Sequence, residues 1–269
     1  MIANRTLYLA SSSPRRQELV RMLGIPYEVC VSEADESTEP GLSPASMVAS
    51  LAMRKALTVV QHRAPGPGVV LGADTLVVID GQALGKPRDA EDARHMLNRL
   101  QGRTHEVYSG VALTDTRVTS QPDDMERRLL AVYANSDSVS DGEPDLTSDG
   151  WSGPFSLGEM ACYRSQVSES NGDPLILSGY SVSRVTFRPM KESEIEAYVA
   201  SGEPMDKAGS YAVQGLGSVF IEKIEGDFYG IMGLPLNLLY PMLLPFGICP
   251  FPVESRSPQN GSSLSEDGR

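Results

Sequence analysis

Residues 68–81, GVVLGADTLVVIDG, form an apolar run broken at its middle by Asp74 and Thr75. A stretch that is apolar on both faces belongs to a strand covered on both sides. The run predicts a buried strand pair or a bulged strand at the centre of an α/β protein. Asp74 then lies where a carboxylate is costly without a partner. One reading is a turn aspartate at a strand end; the other, which explains the position better, is a metal ligand or general base.

The chain opens with a second informative stretch, LASSSPRRQELVRMLG at 9–24. Leu7-Tyr8-Leu9-Ala10 reads as a short buried strand, Ser13 as an N-cap, Pro14 as the first helical residue and Gly24 as the helix stop. The first turn of a helix carries partial positive charge and unpaired N–H groups, so it favours carboxylates. Arg15 and Arg16 invert that preference. They are either solvated at a surface turn or part of a phosphate site. In the phosphate site, Ser11, Ser12, Ser13, free N–H groups and two guanidinium forks converge beyond the strand's carboxyl end.

Further along, YEVCVSEADEST gives a second strand ending in acidic residues, and a helix starts near Ser43-Pro44. Val48, Leu51, Ala52 and Val59 form its apolar stripe, and Lys55 falls on the same face, as a snorkelling lysine or as a buried charge with a partner. RDAEDARHMLNRLQG predicts a helix capped by Asp89, with Ala93, Met96, Leu97 and Leu100 inward and Gly102 at its end. Lys86, in the turn LGKPRD, says little alone. THEVYSGVALTDT and YSVSRVTFRPM read as strands, and the latter leads into a helix with Ile195, Tyr198 and Val199 inward. The Gly-rich 208–235 shows strand-like runs.

The region 117–179 is crowded with Ser, Asp, Gly and Glu, predicting a largely flexible insertion, and the tail 250–269 reads as disordered. A single domain over 1–249 is therefore expected. Residues 230–253 carry no charge but contain Pro235, Pro241, Pro245 and Pro250. Those prolines argue for a turn and a core helix over 236–244 rather than a membrane span.

The 269 residues are 41% hydrophobic, enough for a substantial core, and the formal net charge of −12 argues against a general nucleic-acid binder. Any basic site must be local. Three cysteines, Cys30, Cys162 and Cys249, without CxxC spacing, fit a reducing cytosol, and no signal peptide precedes the first strand. Gly81 to Lys86 is one residue short of a phosphate-binding Walker loop, and Pro87 stands where Ser or Thr is required. Gly215-Leu216-Gly217 lacks the third glycine of a dinucleotide fingerprint. His62, His95 and His105 give little material for a serine–histidine hydrolase or a histidine-rich metal centre. The remaining arginine, lysine and carboxylate chemistry suits a polyanionic substrate bridged by a cation such as Mg²⁺.

Taken in order, LASSSPRRQELVRMLGI, ADES, LAMRKA, LGADTLVV, GKPRDAEDARHMLNRLQGRTHEVYSGVAL, VTFRPM, EIEAYVASGEPMDKAGSYAVQGLGSVFIEKIEG and GLPL resemble the Maf family of nucleoside triphosphate pyrophosphatases. The resemblance covers about 7–116 and 181–247. It implies an elongated α/β fold with a mixed sheet, flanking helices and a central cleft, like the inosine triphosphatase group, and a homodimer. It implies hydrolysis between the α and β phosphates with Mg²⁺ or Mn²⁺. On the matching positions, Ser11, Ser13, Arg15 and Arg16 hold phosphates, and Lys55 and Lys86 neutralise the leaving group. Glu36 and Asp74 coordinate metal or activate water, with Asp74 as the proton acceptor. Arg15, Thr75 and Gln214 match the branch acting on dTTP and UTP, whereas the 7-methyl-GTP branch tends to have tryptophan, glutamine and glutamate there. A catalytically silent nucleotide-binding regulator on the same fold is the competing class.

Overall fold

The computed structural model describes residues 5–38, 40–62, 66–119, 122–134, 155–156, 161–166 and 176–251. In chain order come β1 (Thr6–Leu9), α1 (Pro14–Met22), β2 (Tyr27–Val29), α2 (Pro44–His62), β3 (Gly68–Ile79) and β4 (Gln82–Leu84). Then follow α3 (Ala90–Leu100), β5 (Thr104–Asp115), α4 (Pro122–Ala134), β6 (Phe155–Ser156), β7 (Ala161–Gln166) and β8 (Ile176–Phe187). The last elements are α5 (Glu192–Ala200), β9 (Ile221–Glu225), α6 (Phe228–Met232) and α7 (Leu236–Leu243).

One mixed sheet in the order β2-β1-β3-β5-β8-β7-β6 forms the backbone of the fold, with β4 added to β3 and β9 to β8. The apolar run becomes β3, one unbroken strand rather than a pair or a bulged strand, held in constant antiparallel register by β5 from Val69 to Val78. Asp80 and Gly81, at φ 55° and 70°, then make the two-residue turn into β4. The other edge of β3 is paired with β1 up to Leu71 and with β4 from Val77. Asp74 and Thr75 lie in the gap between those two ladders, where the sheet edge opens.

Helix α2 covers one face. Its closest approach is possible because β3 and β5 carry no side chain at Gly72 and Gly110. A Cβ at Gly72 would collide with the Ala52 carbonyl oxygen, and one at Gly110 with the Val48 carbonyl. Ala49, Ala52 and Ala56 complete this small-residue contact, and Met53, Leu57, Val70 and Ala112 fill the layer around it.

The same layer includes an ordered part of 117–179, the region read from composition as a largely flexible insertion. Within it α4 is regular, and Met125 and Leu129 are buried against the α2 layer together with Val118 and Ile176. The acidic, serine-rich composition concealed a short apolar pair four residues apart. Strand β8 also begins at Ile176, earlier than the pattern at 180–190 suggested. Strands β6 and β7 also fall within it, and residues 120–121, 135–154, 157–160 and 167–175, with the tail after residue 251, lie outside the described residues.

On the opposite face, α1 and α7 pack on β1, β3 and β5, and α3 and α5 pack on the far ends of β3, β5 and β8. The predicted inward residues of α3 and α5 are all buried, and Asp89 caps α3 through the Asp92 N–H at 2.8 Å. Between the two groups, α6 docks on a stripe of buried serines. Ser109 donates to the Gly230 carbonyl at 2.6 Å and Ser183 to the Asp227 carbonyl at 3.1 Å. Most of 208–220, expected as strand-like, forms 3-10 turns, and only β9 is a strand. Here closely spaced glycines favour turns over an extended ladder. No described helix is long and apolar enough to cross a membrane.

Replacing Gly110 with Ala should drive a methyl group into the α2 backbone, which cannot rotate away. The expected cost is about 1–3 kcal/mol, read as a lower urea midpoint; an unchanged midpoint would contradict the close packing described.

Candidate active site

The β3 edge gap opens into a cleft of about 940 Å³. Every residue singled out from the sequence lines it: Ser11, Ser13, Arg15, Arg16, Glu36, Lys55, Asp74, Thr75, Lys86 and Gln214. They arrive on six separate pieces of chain, Gln214 on the segment between α5 and β9. The β1–α1 turn brings the serines and arginines, the loop after β2 brings Glu36, α2 brings Lys55, β3 brings Asp74 and Thr75, and the post-β4 turn brings Lys86.

At the β1–α1 turn, Ser13 caps the helix, accepting from the Arg16 N–H at 3.5 Å, while Ser11 Oγ accepts from the Ser13 N–H at 3.2 Å. No carboxylate stands in the first turn of α1. The Arg16 guanidinium is fixed by neutral acceptors: Nε donates to the Gly233 carbonyl at 2.9 Å, Nη2 to Thr75 Oγ1 at 3.3 Å and Nη1 to Ser11 Oγ at 3.4 Å. One N–H on each terminal nitrogen remains for a ligand. Thr75 stands 3.0 Å from Ser109 Oγ. Because Ser109 gives its proton to Gly230, the relay runs from Arg16 through Thr75 and Ser109 to that carbonyl. Burial pulls the Arg16 pKa down while Asp74 and Glu36 oppose the shift. Among the described residues, Arg15, Arg16 and Lys86 form no ion pair.

Lys55 behaves differently. Buried on the apolar face of α2, its ammonium bridges Asp74 Oδ1 at 2.7 Å and Glu36 Oε1 at 2.8 Å. It is therefore a paired buried charge and not a snorkelling one, which resolves the alternatives left by the sequence. The hydrogen bond from Lys55 holds the Glu36 carboxyl below its ordinary pKa, assisted by Lys86 and Arg16. Asp74 is no turn residue, because it stands inside β3, paired with Gly110. Among the described residues, Asp74 Oδ2 and Glu36 Oε2 accept no hydrogen bond, so each carboxylate keeps one oxygen for another cation or a water.

The opposite wall contains residues that the sequence reading missed. Glu203 accepts from Tyr198 Oη at 2.8 Å and from the backbone N–H groups of Leu216 and Gly217 at 2.9 and 3.0 Å. Burial works against its charge, but those donors keep its pKa below the usual range. A Cβ at Gly215 would collide with this carboxylate, which accounts for the first glycine of the failed dinucleotide motif. Tyr198 Oη in turn accepts from the Ala212 N–H at 3.2 Å. The segment bearing Gln214 is thus pinned on both sides. Lys207, also in the cleft, is tied to the Glu203 carbonyl at 3.1 Å and to the Asp206 carboxylate. The signal available beforehand was the spacing of Glu203 from the two glycines, which no simple periodicity reveals.

Tyr211 lines the cleft and packs edge-on against His105, with His105 Nε2 2.9 Å from Tyr211 Oη. His105 Nδ1 is buried without a partner, and burial lowers the His105 pKa to about 4. The histidine thus supports the cleft wall as a neutral ring.

Fold and site together define a class: an α/β protein whose sheet-edge cleft sets unpaired cations opposite a lysine-bridged carboxylate pair, suited to a polyphosphate. The chain belongs to the Maf-like protein family, whose profile matches residues 6–140 and 160–246. The unmatched stretch, 141–159, is shorter than the 117–179 region that composition set apart. The chain is 37% identical over 244 residues to a protein of Desulforamulus reducens named dTTP/UTP pyrophosphatase, covering 91% of this chain and 98% of that one. It is 39% identical over 241 residues to a protein of the same name from Symbiobacterium thermophilum, covering 90% and 94%. A Bacillus anthracis protein of that name is 36% identical over 244 residues, covering 91% and 97%.

The neutral, buried state of His105 gives the protein an acid limb. As pH falls below the ordinary histidine pKa near 6.5, the unfolded chain takes a proton that the folded chain refuses until about pH 4. Stability should therefore drop across that window by about 3 kcal/mol from this group. Urea unfolding at pH 7 and pH 4.5 should show a smaller acid loss in His105→Gln than in the native chain; equal losses would contradict this assignment.

Proposed function

We propose that this protein is a nucleoside triphosphate pyrophosphatase that hydrolyses dTTP and UTP to the monophosphate and pyrophosphate. The observation that carries the reading is the charge arrangement of the cleft. Arg15, Arg16 and Lys86 have no carboxylate partners among the described residues, while Asp74 and Glu36 are held together by Lys55. The names of the relatives supply the reaction and the bases.

In this reading Ser11, Ser13, Arg15 and Arg16 cradle the phosphates, with the first N–H groups of α1 assisting. Thr75 acts through Arg16, whose orientation it shares with Ser11 and Gly233. A water oxygen attacks the α-phosphorus as the bond from that phosphorus to the α–β bridging oxygen breaks. The water gives its proton to Asp74, and pyrophosphate leaves with the bond's electron pair. Of the two lysines that the resemblance assigns to the leaving group, Lys86 meets the charge that develops there, where fixed cations act most strongly. Lys55 is already paired with Asp74 and Glu36, and Arg15 takes its place. Lys55 holds Asp74 in place through their 2.7 Å contact.

Glu36 and Asp74 fit a divalent cation, Mg²⁺ or Mn²⁺, because both line the cleft and each keeps one carboxylate oxygen not bonded to Lys55. No group of three acidic, histidine or cysteine side chains gathers among the described residues. Two carboxylates together with substrate phosphates are a usual ligand set for such an ion. When bound, the ion supplies charge neutralisation on the phosphate oxygens. Gln214, a neutral amide, can both give and take a hydrogen bond with the O4/N3–H edge of uracil or thymine. We further propose that residues 1–249 form one catalytic unit.

The test is to incubate the protein with Mg²⁺ or Mn²⁺ and, separately, dTTP, UTP, CTP, ATP, GTP and 7-methyl-GTP, resolving pyrophosphate from orthophosphate. Pyrophosphate should come chiefly from dTTP and UTP, and Asp74→Asn should lower the rate by at least about 10²-fold. Preference for 7-methyl-GTP would overturn the base assignment, and orthophosphate or no turnover would overturn the reaction.

A further inference from the structure

Glu36 is the most exposed member of the carboxylate–lysine group, with its side chain 62% accessible. It also lies between β2 and α2 on a stretch with no helix or strand. An exposed, long side chain on an irregular loop loses little by swinging away, so one ion pair to Lys55 is a weak tether. The loop is held by a second device, on the residue preceding Lys55 in α2.

Arg54 Nη1 donates to the carbonyls of Asp35 and Ser37, both at 2.7 Å, so a single nitrogen grips the backbone on each side of Glu36. The same guanidinium presents Nη2 and Nε to the two carboxylate oxygens of Glu126 in α4, at 2.6 and 3.2 Å. Ser50, one turn earlier on α2, also donates to Glu126. Both partners of this fork are mostly buried, with side chains 17% and 16% accessible. A bidentate pair fixes the plane of a guanidinium as well as its position. Glu126 thereby aims the remaining Nη1 at the loop.

We propose that Arg54, oriented by Glu126, is a positioning residue for Glu36, and that α4 braces the catalytic cleft rather than merely covering the sheet. Arg54 touches neither substrate nor the reacting atoms; it acts through Glu36, and the inference rests on the role given to Glu36 above. Without Arg54 the loop is free to drift, and Glu36 leaves the group shared by Lys55 and Asp74.

Pyrophosphate release from dTTP is measured with Mg²⁺ for the full native chain, Arg54→Met, Glu36→Gln, the double variant and Glu126→Gln. Alongside it, backbone ¹⁵N relaxation is recorded without nucleotide. The Arg54 substitution should lower kcat/KM about tenfold in the native background and less than twofold in the Glu36→Gln background, because the step it supports is already lost. Glu126→Gln, which preserves volume and serves if Arg54→Met fails to fold, should lower kcat/KM about threefold. In either folded variant the order parameters at Glu36 and Ser37 should fall from the rigid value of about 0.85 toward 0.6, with α2 unchanged. Equal fold-losses in both backgrounds, or unchanged order parameters, would overturn the proposal. If the native chain releases no pyrophosphate, the functional reading fails by itself, and the order parameters still decide whether Arg54 positions the loop.

Discussion

The site depends first on how closely α2 lies on the sheet. Gly72 and Gly110 leave the surface of β3 and β5 bare where the Ala52 and Val48 carbonyls of α2 come down. That approach sets the distance from which Lys55 reaches Asp74, and the same ammonium also meets Glu36. A side chain in either glycine position would collide with the α2 backbone and force the helix away from the sheet. Packing and chemistry are thus one constraint here, and the same helix carries Arg54 and Ser50 outward to α4.

The second organising feature is how charge is divided inside an acidic chain. Positive groups in the cleft fall into two kinds. Lys55 and Lys207 are paired with neighbouring carboxylates, whereas Arg16 is held by a carbonyl and two hydroxyls and forms no ion pair among the described residues. Orienting a cation with neutral acceptors preserves its attraction for an anion while removing the entropic cost of placing it. The inverted first turn of α1 is explained in the same way: carboxylates there would cancel the field that the serines, N–H groups and arginines create together.

Much of this was readable from residue order alone. The cap at Ser13, the cap at Asp89 and the apolar faces of α3 and α5 rest on local chemistry, and local chemistry survives into the fold. Asp74 and Lys55 could be singled out because each is a charge in an apolar setting, although their 2.7 Å contact is made by tertiary packing. Glu36 came only from family resemblance, since an acidic residue in an acidic loop carries no signal of its own. Arg54, Glu126, Glu203 and Ser109 were invisible for a related reason. Each looks like a solvated or turn residue until a distant backbone supplies its partner. Composition gave no sign of α4, where Met125 and Leu129 are apolar anchors in a polar neighbourhood.

The central claim is that the cleft directs water at the α-phosphorus of a bound triphosphate. Hydrolysis of dTTP in ¹⁸O-labelled water, followed by mass analysis of both products, tests it most directly. Attack at the α-phosphorus leaves one labelled oxygen in the monophosphate and none in the pyrophosphate. Label in the pyrophosphate would place the attack on the β-phosphorus and contradict the assignment of Asp74 and the arginine cradle.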